Sequence, residues 1–135
     1  IKMENSRFKL RAWVVNKSVS EMIYPNETDM NSAIAYALWF KLGYINQYPE
    51  KTNIEDWQKE IVFMQYTGLK DNKGKEIYEG DILIYMGAKG VVYYCNDSCM
   101  FMTKFNIHNS NYSFDSMDEE IEVIGNIYEH SHLLK

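Results

Sequence analysis

The sequence predicts a mainly β, α+β fold: an N-terminal β-hairpin and one helix packed on a C-terminal small antiparallel barrel of the SH3-like kind. Three observations predict it. Apolar and polar residues alternate with a period of two near the N-terminus, which is strand rather than helix periodicity. The second half breaks into five short apolar runs, most of them separated by tight-turn sequences. The chain has 135 residues, 46% of them hydrophobic and only two of them proline, enough apolar material for a core but too short for two full-sized domains. One compact domain, or two small subdomains of residues 1–59 and 60–135, is expected.

From Arg7 to Val15, Phe8, Leu10, Ala12 and Val14 alternate with Lys9, Arg11 and Trp13, as in a half-buried strand. Asn16, Lys17 and Ser18 supply a turn, and Glu21–Tyr24 returns as a second strand that ends at Pro25, which has no amide hydrogen for a ladder. Asp29–Leu42 reads either way. Its alternation of large residues with alanine suits a strand, but alanine content, an N-cap at Asp29 or Ser32 and Gly43 at the C′ position favour helix. Tyr44–Lys59 is polar, contains Pro49 and reads as the linker, with a short helical turn expected around Ile54–Lys59.

Strands are then expected at Glu60–Thr67, Ile82–Met86, Val91–Cys95, Cys99–Phe105 and Ile121–Tyr128. Asp71-Asn72-Lys73-Gly74 is a strong turn, because Asp and Asn tolerate turn geometry and Gly supplies positive φ. Gly87–Gly90 is expected to close a hairpin, Asn96-Asp97-Ser98 to turn the next, and Asn106–Glu120 to be a polar loop. Ile82–Met86 is apolar on both faces, so its outward face should meet another layer or another subunit.

Charge limits the function classes. The net charge is −5; residues 1–67 carry eight basic and eight acidic side chains, whereas residues 68–135 carry six and eleven. Nucleic-acid affinity rests on Lys and Arg displacing counterions from phosphates, so an acidic barrel half argues against a general DNA or RNA binder. The acidic run Asp115, Asp118, Glu119, Glu120 and Glu122 is a solvated loop or a greeting for a basic partner. Two cysteines make no disulfide framework, and no stretch approaches the roughly 20 apolar residues of a membrane span, so a cytoplasmic protein with no membrane association is expected. Ile1 and Lys2 precede Met3, which marks Met3 as the expected native start.

Candidate chemistry is sparse. Cys95 and Cys99 with His108 supply three of the four ligands that structural zinc needs, so no metal is expected and each cysteine reads as a small apolar residue. His130 and His132 near the C-terminus read as solvated. Glu79 and Asp81 flank Gly80 and could pair as carboxylates, but the simpler expectation is that Asp81 caps a turn while Glu79 faces water. Met100, Phe101 and Met102 with Tyr93 and Tyr94 form an aromatic-methionine cluster at strand period, read as barrel core and its outer face. No phosphate loop, dinucleotide fingerprint or metalloprotease motif occurs, and no nucleophile with its base is assembled, so neither catalytic residue nor cofactor is assigned.

Gly68, Gly74 and Gly80 recur at six-residue spacing beside Thr, Asn or Asp, as a series of tight turns requires. The polar members Gln65, Thr67, Asp71, Glu79 and Asp81 outnumber what turns need. The whole run QYTGLKDNKGKEIYEGDIL, Gln65–Leu83, resembles the signature of the YopX family of small phage and prophage proteins. KLRAW at Lys9–Trp13, MIYP at Met22–Pro25 and VIGNIYE at Val123–Glu129 resemble that family's opening and closing strands. Two positions depart from it: Val14 stands where the family usually has Asp, and His130-Ser131 where it has Asn-Pro. The resemblance implies a phage-encoded, β-rich protein whose function is undetermined across the family.

Together these readings predict a non-enzymatic accessory protein acting by binding, as a homo-oligomer or with a host or phage protein. A nucleic-acid-binding small barrel, stacking bases on its tyrosines, is the alternative. The candidate binding residues are Arg11, Trp13, Gln65, Tyr66, Thr67, Asp71, Tyr78, Glu79 and Asp81.

Overall fold

A computed structural model describes residues 9–15, 20–24, 61–107, 109–117 and 120–135. The expected helix Asp29–Leu42, the linker Tyr44–Lys59 and His108 lie outside the described residues. The described strands are β1 (Leu10–Val15), β2 (Ser20–Ile23), β3 (Ile61–Lys70), β4 (Glu76–Tyr78), β5 (Asp81–Tyr85), β6 (Ala88–Cys95), β7 (Met100–Phe105), β8 (Asn111–Ser113) and β9 (Glu122–Asn126). They form two antiparallel sheets, ordered β2-β1-β3-β4 and β8-β7-β6-β5-β9. Helix among the described residues is confined to 3₁₀ turns at Phe114–Ser116 and Ser131–Leu134, and none is long and apolar enough to cross a membrane. The fold is mainly β. Two compact units divide the chain, one spanning Lys9–Met64 and one containing Gln65–Lys135.

In the first unit the expected hairpin forms, with Ala12 opposite Ile23 and Trp13 opposite Met22. The expected polar face of β1 does not go to water. Arg11 is 2% exposed, and its guanidinium carbon lies 5.9 Å from the ring centroid of Tyr24, a cation–π contact that helps a charged head leave solvent.

The second unit holds a core of Ile77, Leu83, Val92, Phe105, Met117, Ile121 and Val123, flanked by Tyr85, Ala88 and Phe114. Strand pairing explains its composition: Leu83 lies opposite Gly90, Gly90 opposite Phe105 and Val92 opposite Thr103, so all five share one face. Ile82, on the other face of β5, is also buried, as its two-sided apolar pattern predicted.

Three boundaries differ from expectation. The β5–β6 hairpin turns at Met86-Gly87 rather than across Gly87–Gly90: Tyr85 pairs with Ala88, and both turn residues have positive φ, 49° and 81°, as in a type I′ turn. Gly90 sits inside β6 because a Cβ there would come within 2.6 Å of Thr103 Cγ2 and 2.8 Å of Phe105 Cδ1. Close packing, not turning, requires that glycine. Residues 106–120 are not a plain loop. Tyr112, opposite Thr103, sets its ring edge-on to Phe105 at 5.6 Å, and Phe114 and Met117 return to the core, so hydrophobic anchoring makes β8 and a 3₁₀ turn out of a polar stretch.

The C-terminal residues are also held. His130 is half-buried rather than solvated: its Nδ1 accepts the Asn126 amide at 3.2 Å, and its ring covers Gly125. Lys89 Nζ donates to the Leu133 carbonyl at 2.8 Å.

Thr103 is fully buried, and its hydroxyl has no hydrogen-bond partner among the described residues. Burying an unsatisfied hydroxyl is unfavourable, so Thr103→Val should raise stability by about 1 kcal/mol. Gly90→Ala should lower it by roughly 2 kcal/mol through overpacking against Phe105. Urea unfolding midpoints at a common slope check both.

Candidate functional site

The segment Gln65–Leu83 carries most of the candidate residues, and its geometry is set by glycines at positive φ. Gly68, Gly74 and Gly80 have φ of 86°, 81° and 79°. Gly74 and Gly80 are in turns as expected. Gly68 instead makes a bulge within β3: Tyr66 pairs with Tyr78 and Lys70 with Glu76, so the β3 side holds two extra residues. Thr67 repairs the ladder there, its hydroxyl donating to the Ile77 carbonyl at 2.8 Å and accepting the Leu69 amide at 3.2 Å.

Asp71 ties its own turn to a distant strand. One carboxylate oxygen accepts the amides of Lys73 and Lys75 at 2.9 and 2.8 Å, closing its own turn, and the other accepts the amide of Val123 in β9 at 3.0 Å. The Asn72 amide donates to the Ile121 carbonyl at 2.9 Å, and Lys73 forms an ion pair with Glu122. Burial by itself would raise the Asp71 pKa. The amides of Val123, Lys75 and Lys73, with the charge of Lys75, outweigh that and hold it below the ordinary carboxylate value.

Glu79 and Asp81 serve different backbone segments. Asp81, 1% exposed, accepts the Tyr78 amide at 2.8 Å and so caps the turn as expected. Glu79 does not simply face water: its carboxylate accepts the Gln65 amide at 2.9 Å while its own amide donates to the Gln65 carbonyl at 3.0 Å. Gly80 links two strands, its amide bonding Val92 and its carbonyl accepting from Ile127, both at 2.9 Å. Tyr66 and Tyr78 are buried with ring centroids 5.4 Å apart, and the Tyr78 hydroxyl donates to Glu76 at 2.9 Å. Gln65, Tyr66, Thr67, Tyr78, Glu79 and Asp81 are thus brought together around the β3–β4 pair, while Asp71 binds its own turn and Val123. Arg11 and Trp13 belong to the other unit, Arg11 buried and Trp13 half-buried.

Cys95 and Cys99 flank the β6–β7 turn as free thiols. Cys95 is half-buried, and Cys99 is exposed rather than packed, its thiol donating to the Asn96 carbonyl at 3.4 Å. The hydroxyl of Ser98, followed by its backbone amide, holds the Cys95 pKa below the usual thiol value. Among the described residues no three His, Cys, Asp or Glu side chains gather where a metal ion could be held.

A concavity was not foreseen. An open groove of about 300 Å³ lies between the β5–β6 turn and β8, walled by Tyr85, Met86, Phe105, Ile107, Tyr112 and Ser116. Met86 is 81% exposed, and Ile107 and Tyr112 are about half exposed. Phe105 joins the walls, its ring 6.3 Å from Tyr85 and 5.6 Å from Tyr112. The signal available in the sequence was Ile107 and Tyr112, two of four large apolar residues in a mostly polar stretch.

These features define a mainly β protein in which turn glycines and backbone-binding polar side chains build a scaffold beside an aromatic groove. The family model of the YopX protein matches residues 9–135, and the chain belongs to that family. A crystal structure of protein EF1440 from Enterococcus faecalis is similar, with a TM-score of 0.48 and 23% sequence identity, covering 95% of this chain and 98% of that one. A search of the curated proteins finds no match.

Asp71→Asn places an amide donor against backbone donors and should cost roughly 2–4 kcal/mol at pH 7. Because the folded pKa lies below the unfolded value, the carboxylate's stabilisation is complete above the unfolded pKa and is lost as pH falls through the folded one. The gap between wild type and variant should therefore be wide at neutral pH and narrow in strong acid. Denaturant titrations at pH 7 and near pH 2 measure it.

Proposed function

We propose that this chain is a non-enzymatic phage or prophage accessory protein, a binding module built on a small SH3-like barrel that offers the aromatic groove to another protein. The observation that carries this reading is what the polar side chains of Gln65–Asp81 do. Thr67, Asp71, Glu79 and Asp81 each bind a backbone group of a neighbouring segment, which is scaffold work. The groove has aromatic and aliphatic walls with serine and tyrosine hydroxyls, a lining suited to an apolar side chain held in place by a few hydrogen bonds.

The exposed tyrosine ring in the groove also favours a second reading, base stacking on a single strand. Charge opposes it. Residues 68–135 carry eleven acidic against six basic side chains, and Lys73 and Lys89 are already engaged with Glu122 and the Leu133 carbonyl.

Tagged wild type and the variants Tyr112→Asp and Ile107→Asp, used as bait in bacterial lysate, test the protein-binding reading. At least one protein should be recovered about fivefold better by wild type than by either variant at matched thermal stability, and equal recovery would sink it. Fluorescence anisotropy with single-stranded DNA at about 150 mM salt should show no saturable binding tighter than the micromolar range. Tight binding lost in Tyr112→Asp would install the nucleic-acid reading instead.

A further inference from the structure

We propose that Cys95 and Cys99 form a reversible dithiol–disulfide pair at the tip of the β6–β7 hairpin, with a small organic disulfide as its oxidant. Neither cysteine lines the groove, and the inference does not depend on the binding-module reading.

Place in the chain is the first observation. Cys95 ends β6 and lies opposite Met100, the first residue of β7, so residues 96–99 are the whole connection. Strands about 5 Å apart with a rise of about 3.4 Å per residue put the α-carbons of Cys95 and Cys99 roughly 6 Å apart, within the span of a disulfide.

Direction is the second. On a regular strand Cys99 would face away from Met100, and so from Cys95. Cys99 instead has φ 51°, a left-handed backbone uncommon for a residue other than glycine, asparagine or aspartate, and the alternation breaks there. Its thiol donates to the Asn96 carbonyl at 3.4 Å, and its amide donates to the same oxygen at 3.3 Å. The Cys95 sulfur is drawn to the same loop by the hydroxyl and amide of Ser98. Both sulfurs therefore gather at one turn, and neither is locked in a core: Cys95 is half-buried and Cys99 exposed.

The surroundings divide the roles. The Ser98 hydroxyl, then its amide and that of Asp97, hold the Cys95 pKa below the usual thiol value against burial and the Asp97 charge, so Cys95 is the attacking thiolate. It attacks one sulfur of a disulfide R–S–S–R, forming a mixed disulfide on Cys95 and expelling R–S⁻, which takes up a proton. Cys99 then loses its proton and attacks the Cys95 sulfur, forming the Cys95–Cys99 bond and expelling the second R–S⁻, which is also protonated. Two protein thiols lose two electrons, and the small disulfide is reduced to two thiols. Excess small thiol runs both steps backwards.

Intact-mass spectrometry of the full, reduced chain treated with excess oxidised glutathione at pH 7 tests this. Wild type should lose two hydrogens per chain and keep no glutathione, and because the chain has two cysteines that mass identifies the bond. Cys99→Ser should stop at a single glutathione adduct, and Cys95→Ser should form its adduct at least about fivefold more slowly. Adding Ser98→Ala to Cys99→Ser should move the pH profile of adduct formation upward. Circular dichroism matching wild type shows that each variant is folded. Wild type that stays reduced, retains glutathione or links two chains overturns the pair. Equal adduct rates for the two single variants overturn the order of attack, and an unmoved pH profile overturns the role of Ser98.

Discussion

The carboxylate of Asp71 joins segments 52 residues apart, and the Gln65–Lys135 unit depends on it. A charge removed from water must find compensating donors, and side chains are too mobile to supply them as reliably as backbone amides. Asp71 takes two amides from its own turn and one from Val123, so closing the Asp71–Lys75 turn and docking β9 are one event. The Asn72 amide and the Lys73 side chain bind the same strand, at Ile121 and Glu122, and turn a single bond into a seam. Val123 and Ile121 on that seam are core residues, so the polar lock and the hydrophobic core hold the same strand in the same register.

Much of this was readable beforehand because it is local chemistry. The N-terminal hairpin follows from a period of two, and the Asp71–Gly74 turn and the Asp81 cap follow from residues whose side chains reach their own neighbours' amides. What escaped was set by distant partners. Nothing near Arg11 in the sequence announces its burial, nothing near Gly68 distinguishes a bulge from a turn, and Gly90 looks like a turn residue until Thr103 and Phe105 are placed across from it. The polar stretch 106–120 hid β8 because its anchors Tyr112, Phe114 and Met117 are too few and too unevenly spaced to make a period. The groove was invisible for the same reason: its walls come from four separate places in the chain and meet only when β5, β7 and β8 are in register.

The motif and the groove thus divide the labour of the second unit. Residues such as Thr67 and Glu79 look functional in sequence because they are polar and close to glycine, yet each answers a backbone group that a bulge or a turn has displaced from the regular ladder. The surface with room for a guest is built instead of residues that carry no motif.

The position of β9 at the edge of its sheet, beside β5, has a consequence for how the protein comes into being. A ribosome delivers Ile77, Leu83, Val92 and Phe105 well before Met117, Ile121 and Val123, the residues that complete their cluster. Until the last of these emerges, Asp71 lacks its long-range amide and the inner face of β5–β7 lacks its cover. The nascent chain must carry an open apolar sheet from the emergence of Phe105 until Val123 follows, and the unit can close cooperatively only after that. A ribosome that stalls before Val123 would leave a fragment ready for chaperones and proteases.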